Sequence, residues 1–211
     1  MDLASWAAFG GTVILMQMPP GPDSLLVMAR GVGQGRDVAL FTVLGMTLGA
    51  GMVQLPLLAL GISSLLQASP LAFAMLRWAG AAYLVWLGSR MVLLRSDSVA
   101  VDEPRNVGPL AAAREGMIAN LINPWPITFM VAFLPQFVDP ARGSVTLQLL
   151  LLGGTQKMTG VLVLGTYALA SGTFGAWIMK RPKVRLWQRR VAGCLVVGLG
   201  VRMALGGGAH R

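Results

Sequence analysis

"MPPGPDSLLVMAR", residues 18–30, closes an uncharged apolar run that begins at Leu3. Pro19, Pro20, Gly21 and Pro22 stand in four consecutive positions, and Asp23 follows at once. Proline lacks a backbone N–H and its ring clashes with the turn before it, so a helix entering this stretch is interrupted and some carbonyls lose their partners. Within a bilayer those carbonyls must find protein, water or a solute. A carboxylate at that depth is costly and marks a candidate functional group.

The surrounding sequence places the break in a membrane. Of 211 residues 55% are hydrophobic and 12% charged, about half the charge of a soluble domain. Leu3–Pro22, Val38–Leu76 and Gly116–Val138 carry no charge, and Gly143–Met179 carries only Lys157. Runs of that length read as membrane spans, since crossing takes about 20 helical residues. Six spans are expected, at 4–27 (broken at the prolines), 39–62, 71–93, 115–135, 147–170 and 191–207. The chain reads as an all-α integral membrane protein. The opening "MD" is acidic and no small-residue cleavage site follows, so the first segment is expected to stay as a helix.

The formal charge of +9 does not indicate nucleic acid, because the basic residues cluster between apolar runs. Twelve of the 17 Lys and Arg fall in the first, third and fifth loops: Arg30 and Arg36; Arg90, Arg95, Arg105 and Arg114; Lys180, Arg181, Lys183, Arg185, Arg189 and Arg190. Basic loops stay inside, so the odd loops are expected to be cytoplasmic and both termini outside. Anionic lipid would draw the last cluster to the same leaflet. Cys194 and His210 are the single Cys and His, too few for a disulfide or a Cys/His metal site. No Ser-His-Asp, Cys-His or paired-carboxylate arrangement occurs, so neither an enzyme nor a cofactor is expected.

The polar stretch 95–109 divides the chain into halves of three spans: a first repeat at 1–94, a cytoplasmic linker at 95–114 and a second repeat at 115–211. "NPWP" (123–126) interrupts span four as "PPGPD" (19–23) interrupts span one. Three spans per half bring the second half in from the opposite side, giving inverted repeats with Pro-broken helices one and four. Paired interruptions at matching positions point to a transporter's substrate site; a packing kink is the simpler alternative.

"PGPDSLLVMARGVGQGRDVAL", "ASPLAFAMLRWAGAAYLVWLGSRMV", "NLINPWPITFMVAFLPQFVDP" and "VAGCLVVGLGVRMALG" resemble the lysine-exporter/threonine-efflux (LysE/RhtB-type) family of bacterial amino-acid exporters over nearly the whole chain. The resemblance implies a secondary exporter of amino acids or related small metabolites in the bacterial inner membrane. It further implies coupling to the proton motive force, with two halves rocking around a shared site. There are two departures from the family pattern: Trp125 and Pro126 follow Asn-Pro where a Lys is common, and Lys157 interrupts a span that is usually uncharged.

The expected site comprises Pro20, Gly21, Pro22, Asp23 and Ser24 of the first break, Asn120, Asn123 and Pro124 of the second, and Gln54 and Lys157. Asp23 suits proton exchange or contact with a substrate ammonium; capping of the restarted helix is the alternative. Lys157 suits a counter-charge to Asp23 or to a substrate carboxylate; snorkelling is the alternative. Asn120 and Asn123 either contact a zwitterion or cap the broken helix, and Gln54 and Gln156 are candidates for the same cavity. Arg77 and Arg202 are expected to snorkel outward. Gly45 and Gly49 form a GxxxG suited to close helix packing. "GVGQG" (31–35) reads as a cytoplasmic turn, and Trp78, Tyr83 and Trp86 as interfacial or packing aromatics. A passive facilitator or a non-transporting membrane subunit remains open, as does a homodimer, which the Gly-rich faces allow.

Overall fold

The structure is a computed structural model and describes residues 3–93, 107–171 and 181–206. Among these residues the chain is helical throughout, with no strand. The helices are α1 (Leu3–Gln17), α2 (Pro22–Gln34), α3 (Arg36–Leu44), α4 (Ala50–Ala68), α5 (Pro70–Leu93), α6 (Pro109–Ile122), α7 (Pro124–Phe133), α8 (Val145–Ala170) and α9 (Pro182–Gly206). A π-helical segment, Gly45–Gly49, joins α3 to α4, so that Arg36–Leu65 runs as one 30-residue helix.

By length and composition, Arg36–Leu65 and Val145–Ala170 are able to cross a membrane. Pro109–Ile122 and Trp125–Phe137, bent by 55° at their junction, together make a third candidate. Large apolar side chains such as Met52, Leu57, Leu71 and Leu162 are exposed on the outer faces. A surface so rich in exposed apolar residues suits lipid rather than water.

Two apolar cores hold the helices together. One gathers Phe9 and Val13 of α1, Leu58 of α4, Leu84 of α5, Phe129 and Phe133 of α7 and Leu152 of α8. Within it, Phe9 stacks on Phe133 at 5.6 Å and Phe133 on Phe129 at 4.8 Å. The smaller core joins Val27 of α2, Ala39 and Val43 of α3, Met46 of the π segment and Ala168 of α8. Met16 and Phe129 of the first core and Met46 of the second line a common cavity, so the site lies between the two.

Close backbone approach fixes the walls. A Cβ on Gly45 would lie 1.8 Å from the Ala113 carbonyl oxygen, and one on Gly116 would lie 2.5 Å from that of Thr42. The Gly45/Gly49 face is therefore taken by α6, with Gly49 against Met117. Gly88 and Gly193 bring α5 and α9 together in the same way, each 2.6–2.7 Å from the other's carbonyl when given a Cβ.

Several local expectations are corrected. Residues 31–34 of "GVGQG" are helical, because α2 runs on to Gln34; the turn is Gly35, whose φ of 96° suits glycine. Arg30 is not a loop residue: it is buried on α2 and ion-paired with Glu115 of α6. Lys183, Arg185, Arg189 and Arg190 lie on the first half of α9, which starts nine residues before the expected span. Trp86 packs beside Tyr83 at 5.5 Å, with the Arg90 guanidinium 5.0 Å from its ring centre. The side chains of Arg77 and Arg202, and most of the 95–109 stretch, lie outside the described residues.

Candidate functional site

The chain leaves α1 at Gln17 and re-enters a helix at Pro22, whose ring suits the first helical position. Gly21 is the N-cap, and the helix has no side-chain cap. Asp23, in the first turn, is thus not the capping residue; its carboxylate is directed across to α6 and α7. The Ser24 hydroxyl donates to the Gly21 carbonyl at 3.0 Å, and the Tyr167 hydroxyl of α8 donates to the Met18 carbonyl. Two carbonyls of the interruption are in this way satisfied from within the protein.

The second interruption supplies Asp23 with its partners. Asn120 Nδ2, from the last turns of α6, donates to Asp23 Oδ2 at 2.7 Å. Asn123 Nδ2 donates to Asp23 Oδ1 at 3.0 Å, while its own Oδ1 caps α7 by accepting from the Trp125 amide at 3.1 Å. Asn123 therefore caps the broken helix with its oxygen and serves the Asp23 carboxylate with its nitrogen. Asn120 makes no cap; its side chain serves the carboxylate.

The network continues to the membrane-depth lysine. Gln54 Nε2 of α4 donates to Asn120 Oδ1 at 3.3 Å, and Lys157 Nζ of α8 donates to Gln54 Oε1. Lys157, Gln54 and Asn120 are all at least 94% buried. Cation and anion are thus linked through two neutral amides: Lys157 Nζ, Gln54, Asn120, Asp23. No direct Lys157–Asp23 ion pair forms.

These groups surround a cavity of about 110 Å³. That is several times the ~10–15 Å³ that holds one water, so the space accommodates a small solute. Gly21, Pro22, Asp23, Ser24, Asn120, Asn123 and Lys157 line it, whereas Pro20 lies in the gap between α1 and α2 but off the wall. Gln54 stands behind the wall, joining its charged members. Trp125, Pro126 and Lys157, the three positions that depart from the resembled family's pattern, all line this one cavity.

Sequence reasoning missed several wall residues. Gln17 is the only amide between Leu3 and Pro22, and its place in the last turn before the prolines was a usable signal. Its Nε2 donates to the Gln156 main-chain carbonyl at 3.1 Å. Met46 and Thr47 reach the wall from the π segment, a distortion often found at functional sites. Gly160 leaves room beside them: a Cβ there would lie 3.3 Å from the Thr47 methyl and 3.7 Å from Gln17 Oε1.

Comparison with known proteins places the chain among membrane transporters. The sequence profile of the LysE type translocator family matches residues 14–207. A homoserine/homoserine lactone efflux protein of Salmonella typhimurium is 31% identical over 206 residues, covering 97% of this chain and 98% of the relative. A leucine efflux protein of Enterobacter sp. is 27% identical over 205 residues, covering 94% of each. An uncharacterized membrane protein of Vibrio cholerae is 30% identical over 204 residues, covering 97% of this chain and 98% of the relative. No solved structure matches. With a family match across nearly its whole length and a solute-sized cavity in an all-helical membrane protein, the chain belongs to the LysE type translocator family, whose members are transporters and not enzymes.

Proposed function

We propose that this protein is a secondary exporter of amino acids or closely related small metabolites, working by proton antiport in the bacterial inner membrane. One observation carries the reading: two interrupted helices, one from each half, meet at a single cavity through the two carboxylate oxygens of Asp23. Interrupted helices that converge on one site are the hallmark of carriers whose halves move around a fixed substrate. The halves 1–94 and 115–211, joined by the linker 95–114, are taken as inverted three-span repeats that alternate access to that cavity.

Asp23 and Lys157 face the cavity with opposite charge, and a zwitterion bridges them, its carboxylate toward Lys157 and its ammonium toward Asp23. A proton and the substrate ammonium compete for the carboxylate. Release of substrate outside is then coupled to proton uptake there, and protonated Asp23 carries the proton inward. The Lys/Arg excess around the linker and at the start of α9 sets the termini outside and the linker in the cytoplasm. One chain furnishes every group named, so the reading needs no second copy.

The test is uptake into inside-out vesicles, with and without an acid lumen, of leucine, homoserine and a mixed pool of amino acids and metabolites read by mass spectrometry. Gradient-dependent accumulation supports the exporter. Equilibration without accumulation replaces it with a passive facilitator, and no movement of any solute overturns it.

A further inference from the structure

The polar atoms of the cavity are not all matched. Gln17 Oε1 and Gln156 Oε1 are buried and accept no hydrogen bond, though both side chains line the cavity. Gln156 is 93% buried, so bulk water does not serve its carbonyl. The amide orientation of Gln17 is set by its Nε2, which donates to the Gln156 main-chain carbonyl and leaves Oε1 as the end without a partner. A buried acceptor without a donor costs free energy until something supplies one.

The nearest amide and ammonium groups each already give one N–H elsewhere. Asn120 and Asn123 give their Nδ2 groups to Asp23, and Lys157 gives an N–H to Gln54. Each Asp23 oxygen accepts one of these amides and keeps a second lone pair. The unfilled acceptors are therefore Gln17 Oε1, Gln156 Oε1 and the second lone pair of each Asp23 oxygen. An alkylammonium has three N–H donors and no acceptor. The kind agrees, and there are acceptors enough for all three N–H groups.

We propose that Gln17 and Gln156 form, with Asp23, a seat for a primary ammonium, and that the protein selects its substrates by that group. The proposal rests on the export reading and deepens it. Two neutral carbonyls beside one carboxylate count N–H groups as well as charge. A secondary amine carries its charge but fills one acceptor fewer, and an N-acyl group removes the charge and two donors. Side chains on the substrate then matter less than a free amine, so amino acids of different bulk share the seat.

The experiment uses the purified full-length protein in proteoliposomes, with leucine and homoserine as probes beside N-methyl-leucine and N-acetyl-leucine. Counterflow by wild type is expected to be about ten- to a hundredfold slower for N-methyl-leucine than for leucine, the cost of one unmet hydrogen bond to a charged group, with no transport of N-acetyl-leucine. Gln156→Leu removes an acceptor and should abolish the preference for leucine over N-methyl-leucine. Gln156→Glu keeps an acceptor at that place and should retain it, which controls for misfolding. If wild type carries N-acetyl-leucine as fast as leucine, or Gln156→Leu keeps full discrimination, the seat is wrong while the export reading stands. If wild type moves neither leucine nor homoserine nor any solute of the wider pool, the export reading falls and the seat with it.

Discussion

Arg30 of α2 is 3% exposed and pairs with Glu115 of α6, which is 48% exposed. The pair ties the helix that restarts after the first interruption to the helix that ends at the second, across 85 residues of sequence. Arg30 Nε and Nη1 are buried without partners, so Glu115 is the one carboxylate that meets this guanidinium among the described residues.

Glu115→Gln should therefore lower stability, by about 1–3 kcal/mol, because a buried cation loses its counter-charge while its neighbours cannot replace it. Thermal unfolding of the detergent-solubilised protein reads this as a lower midpoint. Combining it with Arg30→Met, which removes the buried charge, should restore much of the loss. An unchanged midpoint for Glu115→Gln alone would show that the pair contributes nothing.

Asp23→Asn replaces two acceptors by one and turns an N–H toward Asn120 or Asn123, both of which already donate there. It also deletes the only carboxylate on the cavity wall among the described residues. Accumulation driven by an acid-lumen gradient should be lost, and counterflow of leucine should fall about ten- to a hundredfold as the ammonium loses its charged partner. Vesicles bearing Asp23→Asn that still accumulate substrate in proportion to the pH gradient would remove Asp23 from the coupling.

Lys157→Met leaves Gln54 Oε1 without its donor and removes the positive wall of the cavity. The loss should depend on the substrate's carboxylate: leucine transport falls by about tenfold or more, whereas leucinamide, which has the amine but no carboxylate, is slowed far less. Equal slowing of both compounds would assign Lys157 a structural role only.

Two glycine substitutions should part in opposite directions. Gly45→Ala drives a methyl to 1.8 Å from the Ala113 carbonyl oxygen, where backbone must move, and should cost about 1–3 kcal/mol or more. Gly160→Ala meets only the Thr47 methyl, at 3.3 Å, and Gln17 Oε1, at 3.7 Å. Helix propensity favours the alanine by up to about 1 kcal/mol, so this variant should keep its unfolding midpoint while transport slows. Normal transport with a lowered midpoint would contradict the placement of Gly160 on the solute path.

Much of the architecture was legible because bilayer-length apolar runs and proline clusters are local signals. The expected spans 71–93 and 147–170 differ by no more than two residues at any end from α5 and α8. Boundaries failed where polar residues continue a helix: the basic start of α9 and the residues 31–34 of α2 carry charge or glycine, yet their backbones stay helical. Capping was the alternative left open for Asp23, but Pro22 takes the first helical position and moves the cap back to Gly21. The network through Gln54 and Asn120 and the pairing of Arg30 with Glu115 join residues 66 and 85 positions apart. Such contacts depend on how helices cross, and no pattern along one chain encodes them. Gln17 was overlooked beside the louder prolines that follow it.

The amide pair between Lys157 and Asp23 has an electrical consequence. The charges of Lys157 and Asp23 cancel only while Asp23 is ionised, so protonating that carboxylate changes the net charge of the site. Under the proposed antiport, a carrier loaded with a zwitterion crosses with Asp23 ionised and Lys157 charged, and its site carries no net charge. The returning carrier holds a protonated Asp23, and Lys157 leaves it at plus one. An inside-negative potential then accelerates the return leg alone, by about 2.3 kcal/mol per 100 mV for a charge that traverses the whole field. The lysine would make the empty carrier, not the loaded one, the voltage-driven form.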